Sequence, residues 1–211
     1  MRFRVVLTFL FTALAAAIPA GAQTYDAFIR ATRSYPEGST QVRNGTAKLE
    51  LASGNGAETG LNVYWGDHLS TEIAVGSVHH DLDATAFGQH VDLGATRVTP
   101  LSLLFQYHSN RRGNLDFHIG AGPAFVILGD IANTTELQSL GVQKIRFHDR
   151  LAPVADAGFD FRFAQQWAFT VDAKYFDIHS KTTATYADGT HETAGLNLKQ
   201  LTVGAGVAWR F

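Results

Sequence analysis

Three groups of side chains in this sequence are of types that carry chemistry. His79-His80-Asp81, followed by Asp83, offers nitrogen and oxygen donors of the kind that hold a metal ion. That spacing matches no closed metal site, and nine histidines scattered over strand ends and loops read more simply as solvated groups. His179, Ser180 and Glu192 are the residue types of an acyl-transfer triad. A general base must lie within reach of its nucleophile, and adjacent residues on a strand point to opposite faces, so His179 and Ser180 are badly placed to act together. No enzyme activity, cofactor or metal is expected. The third group is Asp26, Arg30, Glu72, His118, Asp156, Asp160, Arg162, Asp172 and Lys174. All of these fall on the polar side of segments that alternate in polarity. Charges of both signs in such columns are very costly in lipid, but in a water-filled or paired interior they are tolerated.

The segments that must position these charges are strands. The clearest is the last, Leu196 to Phe211, where Leu201, Val203, Ala205, Val207, Trp209 and Phe211 fall on one face and Gln200, Thr202, Gly204, Gly206, Ala208 and Arg210 on the other. Seven more segments alternate in the same way: Tyr25 to Arg33, Ala57 to Trp65, Leu69 to His80, Thr96 to Ser109, Leu115 to Leu128, Arg150 to Phe163 and Trp167 to Ser180. Glu72 and Ala74 share an inward face, as do Asp172 and Lys174. Phe28 and Phe176 point inward too, as lumen packing or as the lining of an apolar path. The predicted fold is all-β, an eight-stranded antiparallel up-and-down transmembrane β-barrel.

The start of the chain bounds its destination. Arg2 and Arg4 precede an apolar run from Val5 to Ile18, and Ala20-Gly21-Ala22 has the small-x-small form of a cleavage site. Residues 1–22 are expected to be a secretory signal peptide and residues 23–211 the barrel. The mature chain loses two arginines and no acid, so 15 basic residues face 19 acidic ones and the formal charge is −4. It has no basic run to hold nucleic acid. There is no cysteine, hence no disulfide framework. After residue 22 no apolar run is long enough for a spanning helix, which leaves a closed barrel as the one way across a bilayer.

The connections carry a second signal. Long loops (Ser34 to Gly56, Asp81 to Ala95, Gly129 to Asp149, Lys181 to Gly195) alternate with short turns (Gly66 to His68, Asn110 to Asn114, Ala164 to Gln166). Within the loops, Ala47 to Ala52 alternates weakly as a strand would, and a helical turn is expected around Glu136 to Leu140. Asn44-Gly45-Thr46 and Asn133-Thr134-Thr135 are simple loop residues. In an up-and-down barrel all long loops then share one end, outside the cell, and all short turns the periplasmic end. Trp65, Trp167 and Trp209, with Tyr107, sit at the short-turn end, as an interface girdle would.

The sequence resembles the OmpW family of outer-membrane proteins. The resemblance lies in Pro100-Leu101-Ser102-Leu103-Leu104-Phe105-Gln106-Tyr107, His118-Ile119-Gly120-Ala121-Gly122, Ala157-Gly158-Phe159-Asp160, Lys174-Tyr175-Phe176-Asp177-Ile178 and the ending Ala208-Trp209-Arg210-Phe211. It implies a Gram-negative outer-membrane location and a narrow, largely apolar lumen for passive uptake of small hydrophobic molecules, with lateral exit through the wall. It also implies partners in outer-membrane lipid and in the barrel-assembly machinery, the latter met through the C-terminal strand with Trp209 and Phe211 as insertion signal. In the family pattern an apolar side chain on the third strand and a tryptophan on the seventh close the lumen. Ala74 and Lys174 stand at the matching positions, implying a wetter constriction in which Lys174 pairs with Glu72 or Asp172. The expected lumen and binding residues are therefore Phe28, Arg30, Glu72, Ala74, Asp172, Lys174 and Phe176. The alternative is a plugged structural barrel, or a surface receptor acting through its four long loops. Removing Phe211 is expected to lower the amount of protein recovered in the outer-membrane fraction, measured against a tagged full-length control.

Overall fold

The computed structural model describes residues 24–42, 47–86, 89–132 and 142–211. The expected signal peptide, the helical turn at Glu136 to Leu140 and both Asn-x-Thr sequences lie outside these residues. Twelve strands are found among the described residues: β1 Thr24–Glu37, β2 Ser39–Val42, β3 Ala47–Leu51, β4 Gly54–Tyr64, β5 Leu69–Ala86, β6 Gln89–His108, β7 Leu115–Leu128, β8 Ile131–Ala132, β9 Val142–Phe147, β10 Arg150–Arg162, β11 Trp167–Tyr186 and β12 His191–Arg210. Eight of them form the wall. Each pairs antiparallel with the next in chain order (β1, β4, β5, β6, β7, β10, β11, β12), and β12 pairs back onto β1. The sheet is thus a closed ring with no free edge among the wall strands.

The outside of the ring is apolar and the inside polar. Phe105 and Ile119 are 65% and 64% exposed, whereas Glu72 and Lys174 are 0% and 1% exposed. A soluble barrel would reverse this assignment. Lipid supplies the apolar surroundings that a core would otherwise provide, and the ladder satisfies most of the wall backbone groups that lipid cannot. At the short-turn end Trp167 and Trp209 are direct cross-strand partners, and Trp209 also faces Ala27 on β1. The backbone N–H of Trp65 donates to Leu69 across the first turn, and Leu69 faces Tyr107. Gly66 in this turn has φ 139°, a conformation that side-chain-bearing residues resist. Trp65, Tyr107, Trp167 and Trp209 therefore all lie at the short-turn end of the wall.

The structure differs from the sequence-based expectation at the opposite end. Two regions expected as long loops, Asp81 to Ala95 and Lys181 to Gly195, are largely strand. β5 runs to Ala86 and β6 starts at Gln89, while β11 runs to Tyr186 and β12 starts at His191. A strand of 20 residues has a contour of roughly 66 Å, and at the usual barrel tilt it far exceeds an apolar band of about 25 Å. The surplus projects beyond the membrane. There the outward face meets water instead of lipid, so the hydropathy alternation fades while the hydrogen-bonded ladder continues and Leu82, Thr182 and Ala184 stay buried on the inner face. Short strands extend this collar. β3 pairs with β2 and with the upper part of β5, and β9 pairs with β8 and with the upper part of β11. The weak alternation at Ala47 to Ala52 is part of it.

Because Leu103, four residues above Tyr107 on β6, faces lipid near the middle of the wall, Leu103→Lys is expected to destabilise the folded barrel by about 2–4 kcal/mol. Asp67→Lys in the first turn should leave stability within about 0.5 kcal/mol of wild type. Equilibrium urea unfolding in lipid vesicles measures both.

Candidate functional site

Alternation sends every second residue of each wall strand into the lumen, and height along the strand decides what it meets there. The lower and middle lumen is charged. Arg30 of β1 places NH1 3.1 Å from Glu58 of β4, 3.5 Å from Glu72 of β5 and 3.7 Å from Asp172 of β11. Lys174 of β11 places Nζ 2.7 Å from Glu58, 2.6 Å from Glu72 and 3.8 Å from Asp172. Arg30 also donates to Thr170 Oγ1 from Nε and NH2. Beneath these cations lies the ring of Phe28, 3.9 Å from the Arg30 guanidinium carbon. Gly60 makes room for that ring, since a Cβ there would come 2.7 Å from Phe28 Cζ. The result is a floor of paired charges, each almost wholly shielded from water.

The floor continues toward the short turns as a hydrogen-bonded plug. Gln106 donates to Asp156 at 2.7 Å and to Glu72 at 3.3 Å. His108 bonds Asp116 at 2.7 Å and Ser70 at 2.9 Å. Arg210 donates twice to Asp26, and the Tyr64 hydroxyl donates to the same carboxylate. Arg111 stacks over the Tyr64 ring, with its guanidinium carbon 3.7 Å from the centroid.

Above the floor the lumen changes character. Leu104 and Val98 of β6, Val126 and Leu128 of β7, Val154 and Ala152 of β10, Phe176 and Ile178 of β11 and Leu198 of β12 form one buried apolar cluster. Val142, Ile145 and Phe147 of β9 complete it from the collar. The wall beside this layer is incompletely laddered. The β10–β11 ladder ends at Val154↔Phe176, and the β9–β11 ladder starts at Phe147↔Thr182 with the His148 N–H donating to the Lys181 carbonyl beside it, so Asp177 to Ser180 lack ladder partners across that seam. Pro153, at the top of β10, has no N–H to offer and faces Pro123 of β7. A shorter break in the β5–β6 ladder lies at Gly76 and Pro100.

Comparison with known proteins decides what this barrel is. The OmpW family model matches residues 28–211. The chain belongs to the OmpW family. Among solved structures, the outer membrane protein OprG from Pseudomonas aeruginosa superposes with a TM-score of 0.79 at 15% identity, over 90% of this chain and 96% of that one. The outer membrane protein AlkL, solved in DMPC lipid bilayers, gives 0.67 at 16% identity, over 92% and 94%. Neisserial surface protein A gives 0.56 at 10% identity, over 89% and 97%. At these identities the likeness is one of fold. No curated protein sequence matches the chain significantly. This OmpW-family chain is an outer-membrane β-barrel with charged residues inside.

Within this OmpW-family barrel, Phe28, Arg30, Glu72, Ala74, Asp172, Lys174 and Phe176 all point into the lumen. Phe28 lies in the floor and Phe176 in the apolar layer, so the structure separates the two phenylalanines. The constriction at Ala74 and Lys174 is not wet: both are 1% exposed. Lys174 has traded water for Glu58 and Glu72 together, with Asp172 further away. Glu58 is the partner that sequence reasoning missed. Its signal was present, because Thr59 faces outward and parity sends Glu58 inward. The other candidates stay apart. His79 is held by Arg97, whereas His80 bonds the Ala52 carbonyl. His179 faces outward against Asp177 and Asn197, Ser180 donates inward to the His148 carbonyl, and Glu192 accepts from the Tyr186 hydroxyl.

Lys174→Met leaves Glu58 and Glu72 buried with one cation between them, and it is expected to cost about 3–5 kcal/mol in urea unfolding. Adding Glu58→Gln to that variant should recover part of the loss.

Proposed function

We propose that this barrel takes up small, mostly apolar molecules passively, receiving them from the loop end and releasing them sideways into the membrane. The observation that carries this reading is the segregation of the lumen by height, with an apolar layer resting on a buried charged floor. An apolar solute gains roughly 25 cal/mol per Å² on leaving water for the upper layer. It gains nothing by entering the floor, where it would have to part ion pairs in a dry interior. The route downward is closed to it, whereas the seam between β10 and β11 opens from the same layer toward lipid. Ala152, Phe176 and Ile178 line the inner side of that seam, and Leu151 is exposed on the outer side. The mechanism is partition, with no bond made or broken. Loops facing outward from the cell, cleavage of the leader near Ala22 and delivery by the barrel-assembly machinery through β12 belong to the same proposal.

A second reading has its own observation. Both lumen layers are packed closely enough that most of their side chains are buried. A barrel filled in this way also serves as a structural element of the outer membrane, or as a frame for the collar strands.

The chain has no cysteine, so an engineered pair reports on the seam alone. If the β10–β11 register continued beyond Val154↔Phe176, residue 153 would face residue 177. In proteoliposomes holding a small apolar fluorophore reporter, wild type is expected to speed uptake over empty vesicles. Oxidised Pro153→Cys/Asp177→Cys should abolish that gain, and reduction should restore it. Uptake equal to that of empty vesicles for wild type would favour the structural reading.

A further inference from the structure

The charged floor does not balance. Glu58, Glu72, Asp156 and Asp172 are four buried carboxylates, Asp160 adds a fifth carboxylate beside His118 and Arg30, and Arg30 and Lys174 are the two permanent cations among them. Both cations sit against Glu58, Glu72 and Asp172. Among the described residues no lysine or arginine reaches Asp156; its ion-pair neighbour is His118, with Nε2 3.8 Å from Oδ2. The surplus of negative charge therefore gathers on the β7–β10 side of the floor.

The donors there are spaced for sharing an ion rather than a proton. His118 Nε2 lies 3.4 Å from Asp172 Oδ2 and 3.8 Å from Asp156 Oδ2. The first is long for a charge-assisted hydrogen bond and the second is none. Ligands at ~2.0–2.1 Å from one tetrahedral metal ion stand roughly 3.3–3.4 Å apart. One donor atom from each of the three residues lies within 4.8 Å of the others. Asp156 Oδ1 has no hydrogen-bond partner, although its side chain is wholly buried. Two glycines hold the space open: a Cβ at Gly158 would come 2.7 Å from His118 Nε2, and one at Gly120 would collide with Asp156 Oδ1. Gln106 fixes the Asp156 carboxylate from the opposite strand.

We propose that His118, Asp156 and Asp172 bind one divalent first-row cation of the zinc class inside the lumen. An imidazole nitrogen with two carboxylates suits zinc, cobalt or manganese, and is not a set that magnesium or calcium selects. A dication would offset most of the surplus charge. It would also tie β7, β10 and β11 together on the side of the floor that Arg30 and Lys174 do not hold. Because the donors are shielded from water, the ion enters as the barrel closes, so it is supplied during folding.

The test is refolding of the full mature chain into detergent micelles with cobalt(II), followed by gel filtration, measurement of bound metal and the visible d–d spectrum. One equivalent of cobalt with a defined d–d band is expected for wild type, and also for a variant whose exposed His79, His179 and His191 are glutamine. Asp156→Asn and His118→Gln should bind at least tenfold more weakly while keeping the heat-modifiable electrophoretic band of a folded barrel. The proposal is overturned by no stoichiometric cobalt in wild type, by binding that survives both floor variants, or by binding that vanishes with the exposed histidines. Should a floor variant fail to fold, the wild type decides: the His118 ring-nitrogen resonances shift on zinc loading, or they stay and the site is rejected.

Discussion

A sheet in lipid must have no edge. With no water to take up free N–H and C=O groups, the first and last wall strands must find each other, and every other feature of this molecule follows from that meeting. The β1–β12 seam runs from Asp26↔Arg210 to Glu37↔Lys199, and the backbones of Tyr25 and Phe211 exchange a further pair of hydrogen bonds below it. The terminal aromatic is thus a structural closure as well as the end of an amphipathic strand. Closing eight strands also sets the bore, which is just wide enough for side chains to fill.

Filling that bore is where the chain departs from a uniform lumen. Charged side chains occupy the lower and middle heights because most can find an opposite charge across the ring, and because glycines on facing strands give their heads room. Apolar side chains occupy the upper height, next to a wall whose ladder is broken by proline. Under the proposed function the two layers would treat a solute differently. The upper layer would offer apolar contact, while the floor would resist entry because any path through it separates buried ion pairs. Uptake by partition, as proposed, is thus compatible with resistance to leakage in a single narrow barrel.

Much of this was legible in residue order. The outward positions of all eight segments, from Ile29 to Val207, follow from period-two alternation, and the girdle follows from three tryptophans near short turns. The collar was not legible, because stretches such as Thr182 to Tyr186 meet water instead of lipid on the outer face, and the buried Thr182 and Ala184 on the inner face give little hydropathy contrast for alternation to record. Glu58 was legible by parity but drew no notice, since its neighbours do not show that Lys174, 116 residues away, completes it.

The sequence by itself determined which side chains face lipid and which face the lumen, because that choice depends on odd and even positions within one strand. Which lumen residues share a height is set by the tertiary structure alone, and so is the arrangement in which Arg30, Glu58, Glu72 and Lys174 form one floor while Phe176 and Ile178 lie above it. That outcome depends on the register between strands and on closure of the ring. These are properties of pairs of segments far apart in the chain, set by hydrogen bonding that no single strand's pattern contains.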